Sequence, residues 1–182
     1  MASKGGYSLL ELVGVLAVLG VLLSFAIPAI SGSQRAAKVE HTRAQFARLS
    51  LAVEAYRGYY GRYPALAETA DVSLAGQEAL LLESLLGYGL DGGEMAAAAR
   101  ALNPQARNFL QLAADDLEED GRWTDAFGNH RWHYVWDHDR DGWIELAELT
   151  NVPEASRPVR PLPTGVYWYV EGGAEGPWIV SW

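Results

Sequence analysis

The chain has 182 residues, 14 Lys/Arg against 23 Asp/Glu, a formal net charge of −9 and no cysteine. The surplus of acid argues against nucleic acid as the main partner, because a phosphate backbone needs a basic face. Without cysteine there is neither a disulfide framework nor a thiol nucleophile, and no Gly-x-Ser-x-Gly elbow or His–acid pair tied to a glycine-rich turn marks a hydrolase, so a non-enzymatic role is predicted.

In chain order, the first feature is Gly5-Gly6 followed by Tyr7-Ser8-Leu9-Leu10-Glu11 and an uncharged run of nineteen residues, Leu12 to Ile30. At about 1.5 Å per residue this run reaches across the roughly 30 Å hydrocarbon core of a bilayer, and a membrane helix is predicted. Glu11 sits at its entrance. A carboxylate there costs about 2.5–3.5 kcal/mol and calls for a cation in the same environment. Gly5-Gly6 offers an extended, small-residue backbone to a protease. A cut after Gly6 gives Tyr7 a free amine four residues before Glu11, and that ammonium on one copy could neutralise Glu11 on the next. A secretory signal would instead place its apolar core before a small-x-small site, of which Ala26-Ile27-Pro28-Ala29 is a poor version, and a plain anchor has no use for Glu11.

The ordered match Gly6-Tyr7-Ser8-Leu9-Leu10-Glu11, followed by an apolar helix containing Gly14, Gly20 and Pro28, resembles the class III signal of type IV pilins and type II secretion pseudopilins. The resemblance implies cleavage after Gly6 by a prepilin peptidase, methylation of the new Tyr7 amine, Glu11 as the fifth mature residue and a helix bent at Pro28. Tyr7 departs from the usual phenylalanine or methionine but keeps an aromatic ring. Three regions are implied: residues 1–6 as leader, 7–30 as the transmembrane and filament-core half of a long helix, and 31–182 as a periplasmic head that includes the helix's outer half. The implied function is that of a structural subunit of a type II secretion pseudopilus, first held in the inner membrane and then assembled into a filament crossing the periplasm. The implied partners are copies of itself, other pseudopilins, prepilin peptidase and an inner-membrane assembly platform with a motor ATPase. A type IV pilin or minor pilin for adhesion, motility or DNA uptake is the alternative within the class, and a membrane-anchored calcium sensor is one outside it.

Charge is unevenly spread. From Ser31 to Tyr63 six Lys/Arg face two glutamates, whereas from Pro64 to Thr150 seventeen acids face five arginines. Positive residues favour the cytoplasmic side, so a basic stretch just after the apolar run opposes the implied topology, and Lys4 must hold the N-terminus inside from the shortest loop.

Helical spacing continues from Ser31 to about Arg57, with Gly58, Gly61 and Pro64 as stops, and the outer half of this helix is expected to form the spine of the core. Residues 72–90 and 93–113 are predicted as short helices, and the acids from Asp115 to Asp120 as a solvated face. Asp125-Ala126-Phe127-Gly128-Asn129 resembles the pseudopilin turn before the first strand, with Ala126 and His130 where that turn has prolines. Arg131 to Trp136 alternates as a half-buried strand, Val166–Val170 and Trp178–Trp182 are two more, and Gly172, Gly173 and Gly176 lie in the hairpin between them. The predicted class is α+β: a long N-terminal helix packed on a small C-terminal antiparallel sheet, which is the pilin fold if the resemblance holds. Tryptophans at these strand positions are expected in the core.

Asp137-His138-Asp139-Arg140-Asp141-Gly142-Trp143-Ile144-Glu145-Leu146-Ala147-Glu148 follows the pattern of a twelve-residue calcium loop, with acids at 1, 3 and 5, glycine at 6 and glutamate at 12. Three short carboxylates converge on one hard cation, while Trp143 would give its carbonyl, Glu148 a bidentate carboxylate and Glu145 a water-mediated contact. A strand rather than a helix enters this loop and there is no second copy, so an Asp-rich solvated hairpin stays open beside the calcium site. The resemblance implies that a calcium ion ties down the C-terminal loops in place of a disulfide. His130, His133 and His138 lack the spacing of a zinc site.

Overall fold

The structure, a computed structural model, describes residues 9–64, 66–67, 69–113, 116–118, 121–172 and 176–182, and within the first helix it leaves out the side chains at 23 and 25–30. Gly6, Tyr7 and the proposed leader therefore lie outside the described residues, as does the Pro28 side chain. Two units divide the chain, Met1–Lys38 and Val39–Trp182.

Helix α1, Leu9–Tyr60, begins in the first unit with Glu11 in its opening turn. Its ten large aliphatic side chains from Leu9 to Leu22 are all exposed, from 47% at Leu19 to 82% at Leu10. A helix that is apolar all round has no face meant for water. Among the described residues no helix is long and apolar enough to cross a membrane. The run predicted to do so, Leu12–Ile30, includes seven residues whose side chains fall outside the description.

The second unit is built on the other end of α1. Phe46, Leu49, Val53 and Tyr56 recur at three- and four-residue spacing and are all buried, as one stripe of a helix must be when it lies on a core. The helix runs past Gly58 and stops at Gly61, whose φ of +69° suits a residue without Cβ and whose N–H donates to the Arg57 carbonyl at 2.7 Å.

Four strands form an antiparallel sheet in the order β1 (Asp71–Ser73), β2 (Trp132–Trp136), β5 (Val166–Val170) and β6 (Ile179–Val180), while β3 (Trp143–Ile144) pairs with β4 (Leu162–Pro163). The α+β class and the antiparallel sheet agree with the sequence. The helices between are shorter than predicted. The 72–90 segment opens as β1, because Asp71–Ser73 pairs with Val135–His133, and only Glu78–Leu86 is helical (α2). The 93–113 segment reduces to Ala97–Leu102 (α3). Buried Asn103 ends α3 by bonding elsewhere: its amide donates to the carbonyls of Ser84 at 2.9 Å and Arg107 at 2.7 Å, and its side-chain oxygen accepts the Arg107 N–H.

Strand β2 is buried on both faces rather than one. Trp132, Tyr134 and Trp136 meet the α1 stripe, while Val135 on the opposite face packs with Tyr169, Ile144, Leu149, Val152 and Leu162. The head thus has three layers, α1, the sheet, and a covering layer from the 137–163 segment. Of the tryptophans, Trp123, Trp132, Trp136 and Trp168 are in the core as expected, but Trp143 is exposed and Trp178 and Trp182 are half-buried. The acids at 115–120 are not all solvated: Asp116 is fully buried, taking bonds from Arg48, from Gln45 Nε2 at 3.1 Å and from the Ala113 N–H at 2.7 Å.

A polar cluster sits under the covering layer. His133 on β2 places Nδ1 3.2 Å from Asp71 Oδ1 and Nε2 2.9 Å from Glu171 Oε1, Tyr169 O–H donates to Asp71 at 2.8 Å, and the Asn151 N–H donates to Asp71 Oδ2 at 3.2 Å. Burial pushes the Asp71 carboxyl up, but the hydrogen bonds from His133, Tyr169 and Asn151 outweigh it and hold the group below the ordinary carboxylate range. Such a group adds stability above its ordinary pKa, and that stability is lost as pH falls through the folded-state value. We expect Asp71→Asn to cost about 3 kcal/mol at pH 7, the scale for removing one partner of a buried pair. The gap between variant and parent in denaturant midpoint should narrow toward pH 3; a constant gap would exclude the charged form.

Candidate metal centre

The loop after β2 is shaped by its own carboxylates. Asp137 follows the last β2 residue and is buried, whereas Asp139 and Asp141 are exposed. Asp137 Oδ2 accepts the Gly142 N–H at 3.1 Å, Asp139 Oδ1 the Asp141 N–H at 3.3 Å, and Asp141 Oδ1 the Trp143 N–H at 2.8 Å. These bonds fold the chain back on itself through left-handed residues, Arg140 with φ +62° and Gly142 with φ +97°. The Thr164 N–H then donates to the Gly142 carbonyl at 2.9 Å, beside the β3–β4 pair.

The outcome is that one oxygen from each of Asp137, Asp139 and Asp141 lies within 4.8 Å of the others, the one convergence of three potential ligand residues among the described residues. Asp137 Oδ1 is buried and has no hydrogen-bond partner. A buried carboxylate oxygen without a partner is costly unless a cation satisfies it, and hard oxygen donors suit calcium or magnesium. The three aspartates therefore fit such an ion.

Neither Glu145 nor Glu148 is among the converging carboxylates. Glu148 Oε2 accepts the Glu145 N–H at 2.7 Å and its Oε1 lies 3.3 Å from His138 Nδ1, so this carboxylate closes its own turn. Glu145 is exposed, and Trp143 is 52% exposed at the start of β3. The three histidines go separate ways, His133 to the buried polar cluster, His138 to Glu148 and His130 to 3.5 Å from Glu118.

The preceding turn forms as its sequence suggests. Asp125 Oδ1 accepts the N–H groups of Phe127 and Asn129, both at 2.8 Å, and the Ala126 N–H reaches Thr42 Oγ1 on α1 at 3.4 Å. Sequence reasoning missed the Asp71 cluster, whose hydrogen-bonded pairs are 36 to 98 residues apart. Only the strand register, which opposes Asp71 to Val135 and His133 to Tyr169, brings them together.

No family model, curated protein or solved structure matches the chain.

Three carboxylates this close repel one another when nothing lies between them. In chelator-treated buffer, Asp139→Asn should therefore raise the thermal midpoint by a few degrees; a lower midpoint would mean that the loop bonds outweigh the repulsion.

Proposed function

We propose that the chain is a filament subunit of the type II secretion pseudopilin kind, cut after Gly6 and assembled with copies of itself through the apolar start of α1. One observation carries this: ten large aliphatic side chains from Leu9 to Leu22 stand exposed around the helix, with Glu11 in its first turn. A surface of that kind belongs in a bilayer or against other helices. The apolar run through Ile30, the order Gly6-Tyr7…Glu11 and Pro28 support the same assignment. In it, Tyr7 supplies the ammonium that neutralises Glu11 of a neighbouring copy. Growth from the inner-membrane side by a motor ATPase then pushes exported protein outward.

The expected outcome for Glu11→Ala is normal cleavage after Gly6, read by mass spectrometry of the mature N-terminus, with loss of filaments and of secretion. Unchanged filaments and secretion would sink the pairing, and long surface fibres in the parent strain would favour a type IV pilin.

In the same proposal Asp137, Asp139 and Asp141 hold a structural calcium ion. An ion bound only by the folded form stabilises it by mass action, about 2.7 kcal/mol at a hundred times Kd. Calcium should raise the thermal midpoint of the parent, fail to do so in Asp137→Asn and Asp141→Asn, and still do so in Glu148→Gln; loss in Glu148→Gln alone would restore the full twelve-residue ligand set.

A further inference from the structure

The second unit carries a groove of about 720 Å³ that neither the filament proposal nor the calcium loop uses. One wall is the β6 side, with Trp178, Val180 and Trp182, and the other is the 155–163 segment, with Pro158, Arg160 and Pro161. We propose that this groove binds an extended, acidic segment of another protein as an added strand.

Three observations carry it. First, β6 is the outer strand of the sheet, and among the described residues no strand pairs with its other edge. The Ser181 N–H donates to the Trp168 carbonyl at 3.0 Å, and Val180 is opposite Tyr169 in the register. Because hydrogen-bonded and non-bonded pairs alternate in an antiparallel ladder, the Val180 N–H and C=O point away from β5. Second, the walls are already fixed. Trp178 stacks on Tyr169 with ring centroids 6.0 Å apart, Trp182 meets the same ring edge-on at 5.9 Å, and Trp182 Nε1 donates to the Ser156 carbonyl at 3.1 Å. Prolines 158, 161 and 163 stiffen the opposite wall, so little freedom is lost on binding.

Third, the two charged residues that line the groove, Arg157 and Arg160, are both cations. Arg157 and Arg160 are the only cations between residues 141 and 182 of an acidic chain. Among the described residues neither has a carboxylate partner, and Arg157 Nε donates to the Val152 carbonyl at 2.9 Å. Val159 between them is fully exposed. A sugar chain would also stack on tryptophan, but among the described residues no Asp, Glu, Asn or Gln lines the groove to pair with its hydroxyls.

The test is fluorescence anisotropy of the full chain in detergent with the labelled hexapeptide EVEVEV, alongside KVKVKV, an N-methylated EVEVEV and cellohexaose as competitor. Saturable binding of EVEVEV is expected, weakened about tenfold or more by Arg160→Glu, which changes only an exposed side chain, and by backbone methylation. Equal binding of EVEVEV and KVKVKV, indifference to Arg160→Glu or to methylation, or displacement by cellohexaose would each overturn it. Glu11→Ala should bind as the parent does, which separates failure here from failure of the filament proposal.

Discussion

The second unit depends on one stripe of α1. Phe46, Leu49, Val53 and Tyr56 close the inner face of the sheet, and the polar members of the same helical surface fasten the loops around it. Thr42 receives the turn at Ala126, Gln45 and Arg48 hold buried Asp116, Ser50 Oγ accepts Trp168 Nε1 at 2.9 Å, and Tyr56 O–H donates to the Leu102 carbonyl at 2.7 Å. Each of these loops reaches its place by bonding to a helix whose own geometry is set by backbone hydrogen bonds. The loops between 102 and 130 can therefore be irregular without leaving their polar groups stranded.

Among the described residues no helix covers the other face of the sheet. Val135 and Tyr169 are instead buried by Ile144, Leu149, Val152 and Leu162, which come from a segment with two short strands and a single 3-10 turn, Glu154–Ser156. Little regular structure holds this layer, so its anchors matter. The Asn151 N–H bond to Asp71 is one, the β3–β4 pair is another, and the aspartate loop at the segment's start is the third. An ion at Asp137, Asp139 and Asp141 would fix the point at which the layer leaves the sheet.

The parts of this architecture legible in the sequence were those set by local periodicity. Alternation in Arg131–Trp136 and the apolar run Val166–Val170 marked strands, the stripe before Gly61 marked the helix, and the spacing of Asp137, Asp139 and Asp141 marked a convergent loop. What was not legible depended on partners far along the chain. Val72–Ser73 reads as the start of a helix until β2 is beside it, and Asp116 reads as surface until Arg48 and Gln45 surround it. Of the twelve-residue pattern, the structure brings together Asp137, Asp139 and Asp141. Glu148 is at the right position, but the turn it closes with Glu145 is nearer than the loop.

The exposed start of α1 raises a question of driving force. Each large aliphatic side chain from Leu9 to Leu22 gains about 1.5–3 kcal/mol on leaving water, so a bilayer or a bundle of such helices is strongly preferred to solution. Between those two homes the hydrophobic effect is nearly indifferent, because lipid tails are as apolar as leucine. Under the proposed function, movement from membrane to filament would then be decided by something that differs between them. In the proposed filament, packing is one such term and Glu11 is the other, since a carboxylate in hydrocarbon would gain more from a neighbouring ammonium than any leucine gains from another leucine. In the proposed filament the apolar side chains would make insertion and assembly both affordable, and the charge would select between them and set the register of the stack.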